Sequence, residues 1–280
     1  MDWKMSTLRL SRLAGYGAWI VLLVLGVMAL AAASTGAAPA LPSNIRVLRV
    51  GVDPLALPIR NGERDYTGEG FEAVFANELA AQLGVEVNLV PMPVEALASA
   101  LRQQQVDVVI SRRSPSDRID SGLRALFTGY TSGLGVVMRS DAEVRTWDAL
   151  EGLTVCAVQG NARALSQADQ VGGRLTTHVS AAQALVSVRT GACQAAVLDE
   201  RQLAALRRRK EWVKFSAVLP EVAPSRMFAL LSKERRELHA PVQTAVTALA
   251  AASHWSRRQQ TWASGVAFEV YFDQTGPDCH

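Results

Sequence analysis

The sequence predicts a two-lobed α/β protein in which each lobe is a mostly parallel sheet flanked by helices. From residue 46 onward, short apolar runs alternate with segments of helical spacing. Strands that read as near-continuous apolar runs belong to parallel sheets covered on both faces. The alternation runs through one cycle to about residue 110 and restarts near residue 134. At 280 residues the chain is long enough for two lobes, each with its own core.

The elements follow in order. Residues 45–52 form an apolar strand that enters a Pro-rich turn at 53–58. Residues 71–83 place Phe71, Val74, Phe75, Leu79 and Leu83 on one helical face, and Gly84 stops that helix. A strand at 85–90 and a helix at 93–103, with Val94, Leu97 and Leu101 inward, lead to the apolar strand 106–110. In the second cycle, strands are expected at 134–138, 153–158, 175–179 and 195–198. Helices are expected at 162–170, 181–189 and 199–210, with a short capped turn at 146–150. A strand at 227–231 and a long helical region at 241–263 complete the chain. Lobe one is expected to comprise 45–135 plus 227–265, lobe two 136–226, and a tail 266–280, with hinge strands near 133–138 and 227–231. In such sheets a ligand crevice lies at the carboxyl ends of the strands.

The first 40 residues read as an export signal. Lys4, Arg9 and Arg12 precede the unbroken apolar run 18–33, and small residues follow it. A basic segment, a short apolar segment and a small-residue exit make a signal peptide, with an uncleaved anchor as the alternative. The mature protein is therefore expected to be soluble and exported, in a compartment that permits disulfides. The leader also carries +2 of the net charge of +3, leaving no cationic excess that would argue for nucleic acid.

Known catalytic and metal motifs are absent from the sequence. The four His residues are scattered, and there is no G-x-S-x-G, P-loop or G-x-G-x-x-G. The expectation is therefore a protein that is not an enzyme and has no cofactor and no metal.

Some segments still have chemistry to offer. Ser111–Arg118 (SRRSPSDR) follows an apolar strand, and its arginines suit an anion, since guanidinium grips carboxylate in a fork; a polar loop capping the next helix is the plain alternative. Asp199 follows the strand at 195–198, either to accept from a ligand ammonium or to cap a helix. Gly160 and Asn161 lie in a strand–helix turn whose N–H groups could hold an anion. Cys156 and Cys193 sit at two second-lobe strands, where a bridge would form if their separation allows; Cys279 is left over.

Several segments carry a family resemblance in their order and spacing. They are Leu48–Asp53 (LRVGVD), Gly70-Phe71-Glu72, 80–84 (AAQLG), 97–109, Ser116-Asp117-Arg118, 127–133 (FTGYTSG), 150–155 (LEGLTV) and 195–199. Taken together they resemble the extracytoplasmic solute-binding proteins of ABC transporters, in the polar amino-acid class (family 3), over about residues 46–264. The resemblance implies the two-lobed periplasmic-binding-protein fold (type II, two crossovers). It also implies hinge closure on a small amino-acid-like or anionic solute and a membrane permease as partner.

By the same resemblance, Arg118 takes the place of an Arg that grips a ligand carboxylate, and Asp199 that of an Asp holding an ammonium. Asn161 stands where a Thr lies beside the carboxylate, and Cys156–Cys193 resembles a bridged pair. The sequence departs from the pattern too. Ala56 and Val94 replace two aromatic positions, and Arg113 replaces a hydroxyl residue that Ser114 could supply. With Arg112 and Arg113 the mouth is more cationic, which shifts the expected ligand toward a more anionic solute. A shorter resemblance, carried by Asp53-Pro54, Leu57-Pro58, Asn61 and 68–72, is to solute-binding-like proteins associated with a periplasmic quinoprotein alcohol dehydrogenase, whose partner would then be that enzyme. A dehydratase on the same fold is the third reading.

Overall fold

The computed structural model describes residues 39–61, 64–66 and 70–271. The expected signal peptide and Cys279 lie outside these. Ten strands and seven helices are described. The strands are β1 (Val47–Val52), β2 (Ile59–Asn61), β3 (Arg64–Tyr66), β4 (Glu86–Pro91), β5 (Val108–Arg113), β6 (Leu123–Val137), β7 (Thr154–Val158), β8 (Arg174–His178), β9 (Ala195–Asp199) and β10 (Val222–Ser232). The helices are α1 (Phe71–Leu83), α2 (Val94–Arg102), α3 (Ala162–Gln170), α4 (Ala181–Thr190), α5 (Glu200–Arg207), α6 (Arg236–Leu249) and α7 (Ala252–Tyr271).

Eight strands form one curled sheet in the order β4-β1-β5-β10-β6-β9-β7-β8, and β2-β3 is a separate hairpin. β1 runs parallel to β4 and β5. β7 runs parallel to β8 and β9. The long strands β6 and β10 are antiparallel to each other and join these parallel groups. The second half of β6 pairs with β9, from Leu134↔Asp199 to Val137↔Ala196, while its first half pairs with β10. Register shifts in the β10–β6 ladder fall between Val222 and Ser225 and between Arg226 and Phe228, where the two halves of the sheet meet. Bulges of this kind bend a strand and raise its twist.

The sequence accounts for most element types, and the differences have local causes. The strands expected at 134–138 and 227–231 are the inner parts of β6 and β10, which extend to Leu123 and Val222. The outer part of β6 carries Thr128, Gly129 and exposed Phe127, so its apolar alternation is broken. The long C-terminal helical region is two helices. The first begins before Pro241, because Leu238 already belongs to its buried face; the second runs to Tyr271, with Val266, Ala267 and Val270 buried. The helix after Asp199 ends at Arg207 and yields to a 3-10 segment over Lys210–Phe215.

The largest apolar cluster runs beneath both halves of the sheet. It joins Leu48, Val108, Ile110, Phe71 and Phe75 to Leu185, Leu198, Trp212 and Trp255. Helix α7 connects the halves, packing against α4 and α5. It also stacks Trp255 against Phe75 of α1 at 5.8 Å. Cys156 of β7 and Cys193, just before β9, form a disulfide with Cα atoms 5.9 Å apart, tying neighbouring strands together.

Candidate functional site

The carboxyl ends of the parallel strands converge from both halves. From the first half come Asp53 after β1, then a 3-10 turn over Pro54–Ala56, and Arg112 near the end of β5. From the second half come Gly160 after β7 and Asp199 closing β9. The two sides touch. Gly160 has φ +82°, and a Cβ built on it would stand 3.3 Å from the Leu55 side chain. β6 crosses between them and contributes Tyr130 and Ser132.

A buried ion network spans the junction. Arg112 Nε donates to Glu72 Oε1 at 2.5 Å, and its Nη1 donates to Asp199 Oδ2. Asp199 Oδ1 accepts from the Tyr130 hydroxyl at 2.7 Å, the Ser132 hydroxyl at 2.9 Å and the Gln202 N–H at 3.1 Å. Asp199 thus caps α5 and completes the network with the same carboxylate. Tyr130 is held edge-on to Phe71 at 5.3 Å and against Trp255 at 4.6 Å, and the Arg112 guanidinium sits 5.2 Å from its ring. Glu72 lies in the first turn of α1, where a carboxylate also favours the helix dipole.

The electrostatics follow from burial. Desolvation opposes the Arg112 charge, but Glu72 and Asp199 hold its pKa well above the usual value. Burial, followed by the negative charge of Asp199, pushes the Tyr130 phenol well up, so it stays a donor. Asp53 is raised chiefly by desolvation, although its Oδ1 accepts from the Leu55 N–H at 2.9 Å. Arg163 of α3 is lowered by desolvation and then by the like charge of Arg112, with Asp199, Glu72 and Asp117 opposing. Its Nη2 donates to the Ala223 carbonyl of β10.

The residues singled out from sequence are distributed unevenly. Asp199 is buried and fully engaged, and its partner is Arg112. Arg118 is exposed, in the irregular segment between β5 and β6. Ser114 belongs to a turn in which its N–H donates to Asp117 Oδ2 at 2.8 Å and its hydroxyl meets that of Ser116 at 2.7 Å. Arg113 is half-buried, stands opposite Arg226 on β10, and keeps its buried Nε without a hydrogen-bond partner. Asn161 is the N-cap of α3, its Oδ1 accepting from the Ala164 N–H at 3.2 Å. The anion-binding turn expected at Gly160–Asn161 is thus, on the Asn161 side, a helix cap.

Glu72, Tyr130 and Arg163 were not among the residues singled out, and Arg112 was read only as adding cationic character to the mouth, not as the partner of Asp199. For Arg112 a signal existed: Val108, Ile110 and Arg112 share one strand face, so the arginine continues a buried row. The His residues also looked unpaired in sequence. The fold brings His178 Nε2 to 3.0 Å from Cys156 Sγ, grouping Cys156, Cys193 and His178, with both sulfurs already in the disulfide.

Comparison with known proteins agrees with this architecture. A family profile described as bacterial extracellular solute-binding proteins, family 3, matches residues 48–265. The histidine-binding periplasmic protein of Escherichia coli K12 is 25% identical over 128 residues, covering 45% of this chain and 48% of that protein. The arginine-binding extracellular protein ArtP of Bacillus subtilis is 27% identical over 138 residues, 49% of this chain and 54% of that one. The chain thus spans about half the length of the curated relatives it matches. Among solved structures, an ancestral cationic amino acid solute binding protein superposes with TM-score 0.55 at 20% identity, covering 79% of this chain and 94% of that one. The amino acid ABC transporter substrate-binding protein AbpA of Streptococcus pneumoniae, bound to L-arginine, gives 0.55 at 17%, covering 79% and 96%. These likenesses show the two-lobed periplasmic-binding-protein fold, and they lend no support to the dehydrogenase-associated reading. Among the described residues, no helix is long and apolar enough to cross a membrane.

Proposed function

The chain belongs to the bacterial extracellular solute-binding proteins of family 3, and from that premise we propose that it is the solute-binding component of an ABC-type uptake system. It acts in the periplasm, exported by its N-terminal segment, and delivers a small amino-acid-like or anionic solute to a membrane permease. The observation that carries this reading is the convergence of the carboxyl ends of β1 and β5 with those of β7 and β9, opposed across β6 and β10. That is where open α/β sheets take ligands.

In this reading lobe one comprises 45–135 plus 227–265 and lobe two 136–226. Solute binding is coupled to a rotation about β6 and β10, limited in amplitude because α7 packs on both halves. Arg113 and Arg118 supply cationic contacts from the β5 side; Ser114, Gly160 and Asn161 form the mouth. Asp199 acts through its pairing with Arg112. The relatives named for histidine and arginine binding support a solute of amino-acid size. No step of this role requires catalysis.

Thermal unfolding against a panel of amino acids, dicarboxylates and small organic anions tests the proposal. A solute at a hundred times its Kd adds about 2.7 kcal/mol to the folded state. For a chain of this size that raises Tm by about 5–10 °C. A saturable rise with one chemical class is expected; a cooperative melt indifferent to the whole panel would overturn the reading.

A further inference from the structure

We infer that Arg112 is a specificity-determining residue that acts as an internal cationic ligand. Its guanidinium fills a site made by Glu72, Asp199 and Tyr130, so the crevice refuses ammonium and guanidinium head groups and takes a carboxylate solute instead. This deepens the solute-binding reading and rests on it.

The site fits a guanidinium. Two carboxylates approach one fork from different edges, Glu72 at Nε and Asp199 at Nη1, and an aromatic ring lies 5.2 Å from its carbon. Guanidinium satisfies carboxylates and an aromatic face together in a way an ammonium does not. The site is also rigid. Tyr130 is wedged between Phe71 and Trp255, Asp199 is pinned by the α5 cap, and Ser132 closes the remaining side. With Arg112 in place, Asp199 Oδ1 accepts from Tyr130, Ser132 and Gln202, and Oδ2 from Arg112. A solute cation would have to displace the tethered one, whose effective concentration is high because it needs no capture from solution.

The groups left over favour an anion. Arg113 keeps a buried Nε without a partner. Arg163, whose Nη2 donates to the Ala223 carbonyl, has its charge disfavoured first by burial and then by the like charge of Arg112. A carboxylate that reaches the Arg113 Nε would supply its missing acceptor, and Arg-to-carboxylate contacts are the strong, directional kind.

The test uses the full chain and isothermal titration with methylguanidine, L-arginine and succinate. The wild type is expected to show no saturable heat with methylguanidine or L-arginine up to about 10 mM. Arg112→Ala, which empties the site, should bind methylguanidine at least about tenfold more tightly. Adding Asp199→Asn to Arg112→Ala should abolish that gain. The inference is overturned if folded Arg112→Ala gains no affinity for methylguanidine. Wild-type binding of L-arginine below about 100 µM also overturns it, and that arm decides even if the variant does not fold. The succinate arm separates the two levels of the account. If the wild type takes no panel compound, the solute-binding reading fails while the guanidinium gain in Arg112→Ala still stands or falls alone.

Discussion

Asp199→Ala is the perturbation whose cost is most fully written in the structure. The aspartate side chain is 9% exposed and Arg112 is 19% exposed, so little solvent is available to replace what is lost. Truncation leaves a largely buried guanidinium with Glu72 as its remaining carboxylate, strips the Tyr130 hydroxyl of its acceptor, and removes the N-cap of α5. Removing one partner of a buried ion pair costs about 3–5 kcal/mol. Loss of a cap costs about 1 kcal/mol, and the two overlap because they share one carboxylate. The expectation is a loss of about 3–5 kcal/mol from a total that is about 5–15 kcal/mol for most domains. Urea unfolding of wild type and variant, with the slope checked for constancy, reads it directly. Asp199→Asn should lose less, since its amide oxygen can still cap α5. A loss below about 1 kcal/mol for Asp199→Ala would show that the network is solvated and would refute the reasoning.

Other expectations follow from the same geometry. Asp107 accepts from Arg49 Nη2 at 2.8 Å and Arg235 Nη1 at 3.1 Å; burial opposes its charge, but these arginines hold its pKa below the usual carboxylate value. Its contribution is therefore present above the unfolded carboxylate pKa, about 3.9, and lost as pH falls through the folded value. Asp107→Asn should flatten the acid limb of Tm against pH, and an unchanged limb would contradict this. Replacing Cys156 and Cys193 together by Ser opens a bridge of sequence separation 37 and should cost about 3–4 kcal/mol in chemical denaturation. Gly129 has φ +83°, and a Cβ there would collide with the Ala250 carbonyl. Gly129→Ala should destabilise the fold by more than about 1 kcal/mol through that clash and the left-handed strain, read as a lower Tm. Arg118→Ala should weaken solute binding at least about tenfold with the melt unchanged; equal affinity would remove Arg118 from the site.

What could be read from sequence is unequal for physical reasons. α1 lies where its apolar spacing and the terminating Gly84 place it, because local periodicity and a stop residue suffice to define such a helix. The outer halves of β6 and β10 escaped because their pairing is antiparallel and long-range, across a stretch rich in Gly, Ser and Thr. The β2–β3 hairpin is short and polar, with little apolar signal. Asp199 was legible as the end of an apolar strand. Its partner was not, since the meeting of Arg112 with Asp199 depends on how β5 and β9 face each other across β6, and Arg118 carries the same chemistry a few residues on.

Hydrogen–deuterium exchange on the full chain, with and without the solute that raises Tm, tests the crevice assignment most directly. Protection is predicted in Asp53–Leu57, Arg112–Arg118 and Gly160–Arg163, the segments at the carboxyl ends of β1, β5 and β7. Protection confined to other segments, or none despite saturating solute, would contradict the placement of the binding site.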